Sequence, residues 1–261
     1  MEINRRGPAG APAIVLLHGI GSRWQVFEPI LDRLAGAHDV VAVDLPGFGL
    51  SPAEPGLDLT VDGYATRVAQ LITELGLERP HVVGNSMGGG IALELGRRGV
   101  AGQVTAFSPV GFWTPLERRW AQGVITAMRA ISTVARPLVD LASRTRVGRI
   151  ALFSLFFGKP WLIEPEDALL AVDGLIRATA FPQARAGFNA YDLRAAPRPA
   201  DGLARIPVTI AWGSRDAILP ARRQSAAARK LLPGARHVPL PGCGHLPFSD
   251  NPALCASTVL G

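Results

Sequence analysis

The sequence is poor in cysteine and lysine, and it has no long apolar run. Its two cysteines, Cys243 and Cys255, can form neither a disulfide framework nor a cysteine-rich zinc site. No stretch of about 18 consistently apolar residues is present to span a bilayer. The longest uncharged run, Gly99 to Leu116, is broken by Gly102, Pro109, Gly111 and Pro115. Behind the charged opening Met1-Glu2-Ile3-Asn4-Arg5-Arg6 there is no apolar segment of the secretory kind. No Gly-x-Gly-x-x-Gly occurs, and Gly89 is followed by Gly90-Ile91 instead of Lys-Ser/Thr, so dinucleotide and phosphate-loop readings fail. There is no internal repeat and no low-complexity tract. With 48% hydrophobic and only 18% charged residues, the chain is globular and not disordered. These features predict a soluble, cytoplasmic protein with neither metal nor cofactor, and they argue against a membrane partner.

The net charge of +6 is carried almost wholly by arginine, with only Lys159 and Lys230 as lysines. Much of the excess is local: Phe112 to Ala200 holds twelve basic residues against seven acidic ones. These arginines are spread through apolar helical pattern and are not interleaved with aromatics as a stacking platform, so no nucleic-acid partner is expected.

Ala13-Ile14-Val15-Leu16-Leu17-His18 is a continuous apolar run of the kind found in strands buried on both faces of a parallel sheet. Val40 to Asp44, His81 to Gly84, Val104 to Phe107, Val208 to Trp212 and His237 to Leu240 read the same way. Helical patterns at Pro29 to Ala35 and Val61 to Leu75, and a helix following Ser86, alternate with the strands. The class is α/β, with a mostly parallel sheet flanked by helices. From Phe112 to Ala200 helical patterns follow one another without a good strand. They comprise Trp120 to Leu141 (one helix, or two meeting near Pro137), Ile150 to Phe157, and Glu166 to Thr179. This predicts a helical cap, residues 112–200, inserted between late core strands. The core would then comprise residues 1–111 and 201–261, with Pro197 to Pro207 returning the chain.

Gly84-Asn85-Ser86-Met87-Gly88 is a G-x-S-x-G sequence placed between a strand and a helix, the setting a nucleophile elbow requires. A serine nucleophile needs a base, and the base needs an acid to set its tautomer. Of five histidines, His38 precedes a strand, and His81 and His237 fall within strand patterns. His245 lies in the loop after the last strand, where an open α/β sheet places its chemistry. Asp216 ends the loop Trp212-Gly213-Ser214-Arg215-Asp216 after the preceding strand, whereas Asp140, Asp167, Asp173, Asp192 and Asp201 do not follow a strand. The order Ser86, Asp216, His245 is the Ser…Asp/Glu…His order of one fold class.

At these positions the chain resembles the α/β-hydrolase superfamily over nearly its full length. His18-Gly19-Ile20-Gly21 is similar to the HG-x-G oxyanion turn of that family, and Asp44 to Ser51 to its D-x-x-G-x-G-x-S loop. The resemblance implies an oxyanion hole from the backbone N–H groups of Ile20 and Met87, with His18 buttressing the turn. The family usually opens with two antiparallel strands. Little chain precedes Ala13 here, so about seven strands with at most one short antiparallel edge are expected. Ser86 argues against dehalogenases and epoxide hydrolases, whose elbow carries Asp. Gly-Asn-Ser-Met-Gly-Gly is similar to the elbow of bacterial meta-cleavage C–C hydrolases and also to that of carboxylesterases.

The expected activity is that of a serine esterase acting on a small or medium apolar acyl compound. The expected pocket lies between sheet and cap, walled by Trp24, Phe48, Val110, Phe112 and Trp113. Phe153, Phe156, Phe157 and Phe188 would contribute from the cap. Three alternatives stay open. The first is a C–C hydrolase whose cap arginines (Arg118, Arg119, Arg129) meet a substrate carboxylate. The others are a hydrolase-fold ligand receptor with little turnover, and a membrane-surface protein using a basic amphipathic cap.

Overall fold

The computed structural model describes residues 1–194 and 202–261. The first half of the chain supplies β1 (Ile3–Arg6), β2 (Ala13–Leu17), α1 (Glu28–Ala35), β3 (Asp39–Val43) and α2 (Val61–Glu74). It continues with β4 (His81–Asn85), α3 (Met87–Arg97) and β5 (Gln103–Phe107). Five helices follow before the next strand: α4 (Pro115–Val134), α5 (Arg136–Ser143), α6 (Arg146–Phe153), α7 (Pro165–Arg177) and α8 (Phe181–Gly187). The chain ends with β6 (Val208–Gly213), α9 (Ala221–Leu231), β7 (Arg236–Leu240) and α10 (Pro252–Leu260).

The strands form one seven-stranded sheet in the order β1-β3-β2-β4-β5-β6-β7. All neighbours are parallel except β1, which pairs antiparallel with β3. The continuous apolar runs are explained by burial on both faces. Val15, Leu17, Val41 and Val43 join one core with helices α2 and α3. Their alternating neighbours Ile14, Leu16, Val40 and Ala42 join a second core with α1 and α10.

The edge strand β1 has the sequence Ile-Asn-Arg-Arg and is only half-buried. It therefore carries little apolar signal, although among the described strands it is the one that pairs antiparallel. The stretch from Trp120 to Leu141 resolves into two helices broken at Ala135. Pro137 sits in the first turn of α5, where a missing N–H costs nothing. A capping box between Thr114 and Glu117 fixes the start of α4. Val139 of α5, Phe153 of α6, Ala168 and Val172 of α7, and Phe157 and Ile163 of the α6–α7 connection form their own small core. The expected boundary at Ala200, together with Asp201 and the start of the return segment at Pro197, lies outside the described residues. Among the described residues no helix is long and apolar enough to cross a membrane.

Candidate active site

Ser86 sits between the last residue of β4 and the first of α3, with φ 55° and ψ −115°. A non-glycine residue held there stores about 1–3 kcal/mol, which the surroundings must impose. They do so through three backbone hydrogen bonds. Ser86 N–H donates to Phe107 O at 2.9 Å, and Ser86 O accepts from Gly90 N–H and Val110 N–H at 3.1 Å each. The turn closes only because Gly84 and Gly88 lack side chains. A Cβ on Gly84 would stand 2.0 Å from Gly88 O, and one on Gly88 would stand 2.0 Å from Leu17 O. The G-x-S-x-G spacing is thus a packing requirement of strand, turn and helix.

Asp216 and His245 come from the loops after β6 and β7, and both are buried. His245 Nδ1–H donates to Asp216 Oδ2 at 2.9 Å. The other carboxylate oxygen accepts from Ile218 N–H at 3.0 Å and Leu219 N–H at 2.8 Å. With Nδ1 committed to the carboxylate, the lone pair of His245 is on Nε2. Ser86 and His245 line one cavity. Asn85 ties the two loops together, donating its side-chain amide to His245 O at 2.9 Å and to Phe107 O at 3.2 Å.

The turn after β2 lies directly against the serine: a Cβ on Gly19 would be 3.0 Å from Ser86 Cβ and 3.5 Å from its Oγ. His18 holds this turn from behind. Its Nδ1–H donates to Gly19 O at 2.7 Å, and its Nε2 accepts from Leu45 N–H at 3.0 Å. That arrangement needs a neutral ring, and full burial pushes the His18 pKa down accordingly. Asp44 fastens the neighbouring loops, accepting from Trp24 N–H at 2.7 Å and Leu50 N–H at 2.8 Å. Among the described residues the backbone N–H groups of Ile20 and Met87 have no hydrogen-bond partner. Met87 is the first residue of α3, so its N–H is free by construction of the helix.

The cavity has a volume of about 150 Å³. Of the aromatic and apolar residues expected around it, Val110, Trp113, Phe153, Phe156, Phe157 and Phe188 form part of its wall. Trp24, Phe48 and Phe112 do not. Trp24 lies beneath the Arg6 guanidinium, 5.9 Å from the ring centroid. Phe48 packs edge-on against His18, and Phe112 against Trp212. Their side chains are drawn into core and surface packing, which residue type alone does not reveal. Conversely, Ala121, Ile125, Met128 and Ser132 on one face of α4 complete the wall, as do Ala171 and Leu175 on α7. The spacing of three and four along α4 is a helical stripe that the sequence does display.

Arg118, Arg119 and Arg129 do not reach the wall. Arg129 donates to Ile176 O and Ala178 O, at 3.1 Å each, and covers the Phe181 ring. Arg118 reaches Asn189 O at 3.5 Å, and Arg119 is exposed. Besides His245, the ionisable side chains on the wall are Arg23 and Asp167. Burial, with Glu164, Glu28 and Glu166 nearby, raises the Asp167 pKa. Among the described residues, no three His, Cys, Asp or Glu side chains converge as a metal site.

Asp250 is a further buried carboxylate beside the site. Asp250 accepts from Gly244 N–H at 2.7 Å, Gly158 N–H at 2.8 Å and Lys159 N–H at 2.6 Å. It joins the His245 loop to the turn after α6, and Leu246 N–H reinforces the join by donating to Phe156 O at 2.9 Å. No local motif announces it, because two of its three partners, Gly158 and Lys159, lie far away in sequence.

This fold and this constellation define a hydrolase of the α/β class. Residues 14–258 match the model of the alpha/beta hydrolase family, and the chain belongs to that family. It is 33% identical over 250 residues to the dihydrolipoyllysine-residue acetyltransferase component of the acetoin cleaving system of Cupriavidus necator, covering 93% of this chain but only 60% of that protein. It is 31% identical over 240 residues to the pimeloyl-[acyl-carrier protein] methyl ester esterase of Chromobacterium violaceum, covering 92% of this chain and 89% of that one. The enol-lactonase of Burkholderia xenovorans superposes with a TM-score of 0.75 at 21% identity, over 99% of this chain and 94% of that one, a likeness of fold alone.

Proposed function

We propose that the protein is a serine esterase that cleaves a small or medium apolar acyl ester through an acyl-enzyme. Ser86 is the nucleophile, His245 the base and Asp216 the residue that orients it. The observation that carries this reading is the Nδ1–H bond from His245 to Asp216 on the same cavity that Ser86 lines. It leaves Nε2 as the proton acceptor.

His245 Nε2 takes the hydroxyl proton as Ser86 Oγ bonds to the acyl carbon, and the carbonyl electron pair moves to oxygen. The N–H groups of Ile20 and Met87 receive that oxyanion, each contributing roughly 3 kcal/mol as such donors do elsewhere. As the oxyanion collapses, the bond to the alcohol breaks and His245 passes its proton to the departing oxygen. Water, deprotonated by His245, then attacks the acyl-enzyme and releases the acid and Ser86. Helices α4 to α8 act as the cap, supplying wall and no reacting group.

The apolar wall favours a hydrocarbon acyl or alcohol part. The C–C hydrolase reading needs a cation for a substrate carboxylate; Arg129 is committed to the end of α7, which leaves Arg23 as the one arginine on the wall among the described residues. The esterase named among the relatives supports the ester reading. The test is hydrolysis of nitrophenyl esters from acetyl to decanoyl by the wild type and by Ser86→Ala. Turnover with a clear optimum in chain length, falling about 10⁴-fold or more in the variant, is expected. No turnover of any ester would return the choice to the C–C substrate or to a ligand receptor.

A further inference from the structure

Of the fourteen large hydrophobic side chains exposed among the described residues, eleven fall between Leu116 and Leu170. Five of them are more than 60% exposed: Val134 86%, Val147 78%, Leu116 74%, Leu138 70% and Leu141 64%. Ile131 and Val134 lie three apart in the last turns of α4, and Leu138 and Leu141 lie three apart on α5, each pair on one face of its own helix. Helix α6 packs against α5 and adds Val147 and Ile150, which are also exposed. Isolated exposed apolar residues are ordinary on a protein surface, but a run of this kind is not.

The charge on the same stretch is one-sided. Arg118 to Ile163 holds eight basic residues and a single acid, Asp140. That acid is already paired with Arg136 at 2.7 Å, and Arg136 also reaches Asp173 of α7 at 3.4 Å. Arg149 is buried and donates to Ser143 O. Arg144 and Arg146 are exposed and have no ion pair among the described residues. They flank the α5–α6 turn, so Leu141, Arg144, Arg146 and Val147 together form an apolar tip edged by two unpaired cations.

We propose that this outer face of α5 and α6, with the end of α4, docks on an anionic lipid surface. Leu138, Leu141 and Val147 would enter the acyl boundary, and Arg144 and Arg146 would meet the headgroup phosphates. Apolar side chains on one face, edged by arginine, are the composition that interfacial helices need. A second copy of the chain is the less suitable cover. A two-fold interface would turn the same cationic patch on itself, with no acid there to receive it. The inference stands apart from the esterase reading, although the two meet at one place. Helices α4 and α6 also carry cavity wall at Ile125, Met128 and Phe153. Docking would therefore hold the cavity about one helix diameter, ~10 Å, from the lipid.

The test is co-sedimentation of the full chain with vesicles of phosphatidylglycerol and phosphatidylcholine in equal parts, against phosphatidylcholine alone. At low salt, at least tenfold stronger partitioning to the anionic vesicles is expected, weakening as salt rises. Arg144→Ala with Arg146→Ala should reduce it about tenfold or more, and Leu138→Ser with Leu141→Ser and Val147→Ser should do the same. Both variants should keep the wild-type Tm, because all five side chains are exposed. Equal partitioning to the two vesicle types would overturn the proposal, as would binding that both folded variants retain. So would sedimentation velocity without lipid if it showed self-association that the serine variant abolished; a second copy would then be the occupant.

Discussion

Asn85, the residue before Ser86, donates its side-chain amide to the backbone carbonyl of His245 at 2.9 Å. The turn after β4 and the loop after β7 are thereby locked to each other from inside the core, without using the Ser86 hydroxyl or the His245 ring. Asn85→Ala removes the donor and leaves the buried carbonyl of His245 unpaired, at about 1–3 kcal/mol, while Phe107 O keeps the bond from Ser86 N–H. The expected result is a fall in kcat of about tenfold or more on esters, with KM changed little and the fold retained. A variant with wild-type kcat would show that the His245 loop holds its place without Asn85.

Asp250 anchors the same loop from the other side. Asp250→Ala strands the buried N–H groups of Gly158 and Gly244 along with that of Lys159. A stability loss of about 3 kcal/mol or more is expected in urea unfolding. A loss below about 0.5 kcal/mol would mean that water or a shifted loop satisfies those donors.

Cys243 lies two residues before His245 without sharing its chemistry. Burial pushes its thiol up to about 11, so almost no thiolate is present at neutral pH. Iodoacetamide at pH 7.5 should leave the native protein unlabelled, and Cys243→Ala should keep most activity. Rapid labelling that abolished turnover would contradict this.

Stability should fall on mild acidification. Burial lowers the His18 pKa and brings His81 down to about 4, so the unfolded chain takes up these protons at a higher pH than the native one does. The stability this represents is complete above about pH 6.5 and is lost as the pH falls from there towards 4; for His81 it amounts to about 3 kcal/mol. Tm measured from pH 7.5 to 4.5 should drop, and less steeply in His81→Gln. Equal slopes in the two proteins would remove His81 from the account.

The parts legible in the sequence are those fixed by local pattern. β2 to β6 are mostly or wholly buried along their length, so their apolar runs stand out; Ser86 and Asp216 follow such strands, whereas His245 follows β7, of which only Leu240 is buried. Helix α9 was not legible, because Ala-Arg-Arg-Gln-Ser-Ala-Ala-Ala-Arg-Lys-Leu buries only Gln224 and Ala228. Asp250 was missed because it meets Gly158 from a position 92 residues away. The aromatic wall was only partly read. An aromatic's type does not say which side of the chain faces the cavity, and Phe48 and Phe112 turn into the core. The sequence allows a basic amphipathic surface in this region but does not show which residues form it, because an apolar side chain in a helical pattern implies burial until the packing partners are seen.

The central claim is that Ser86 reacts because His245, held by Asp216, accepts its proton. A fluorophosphonate probe, followed by mass-spectrometric mapping of the adduct, tests this most directly. The account predicts a single adduct on Ser86, absent in Ser86→Ala and formed at least a hundredfold more slowly in His245→Ala. An adduct on another serine, or one on Ser86 formed as fast without His245, would contradict it.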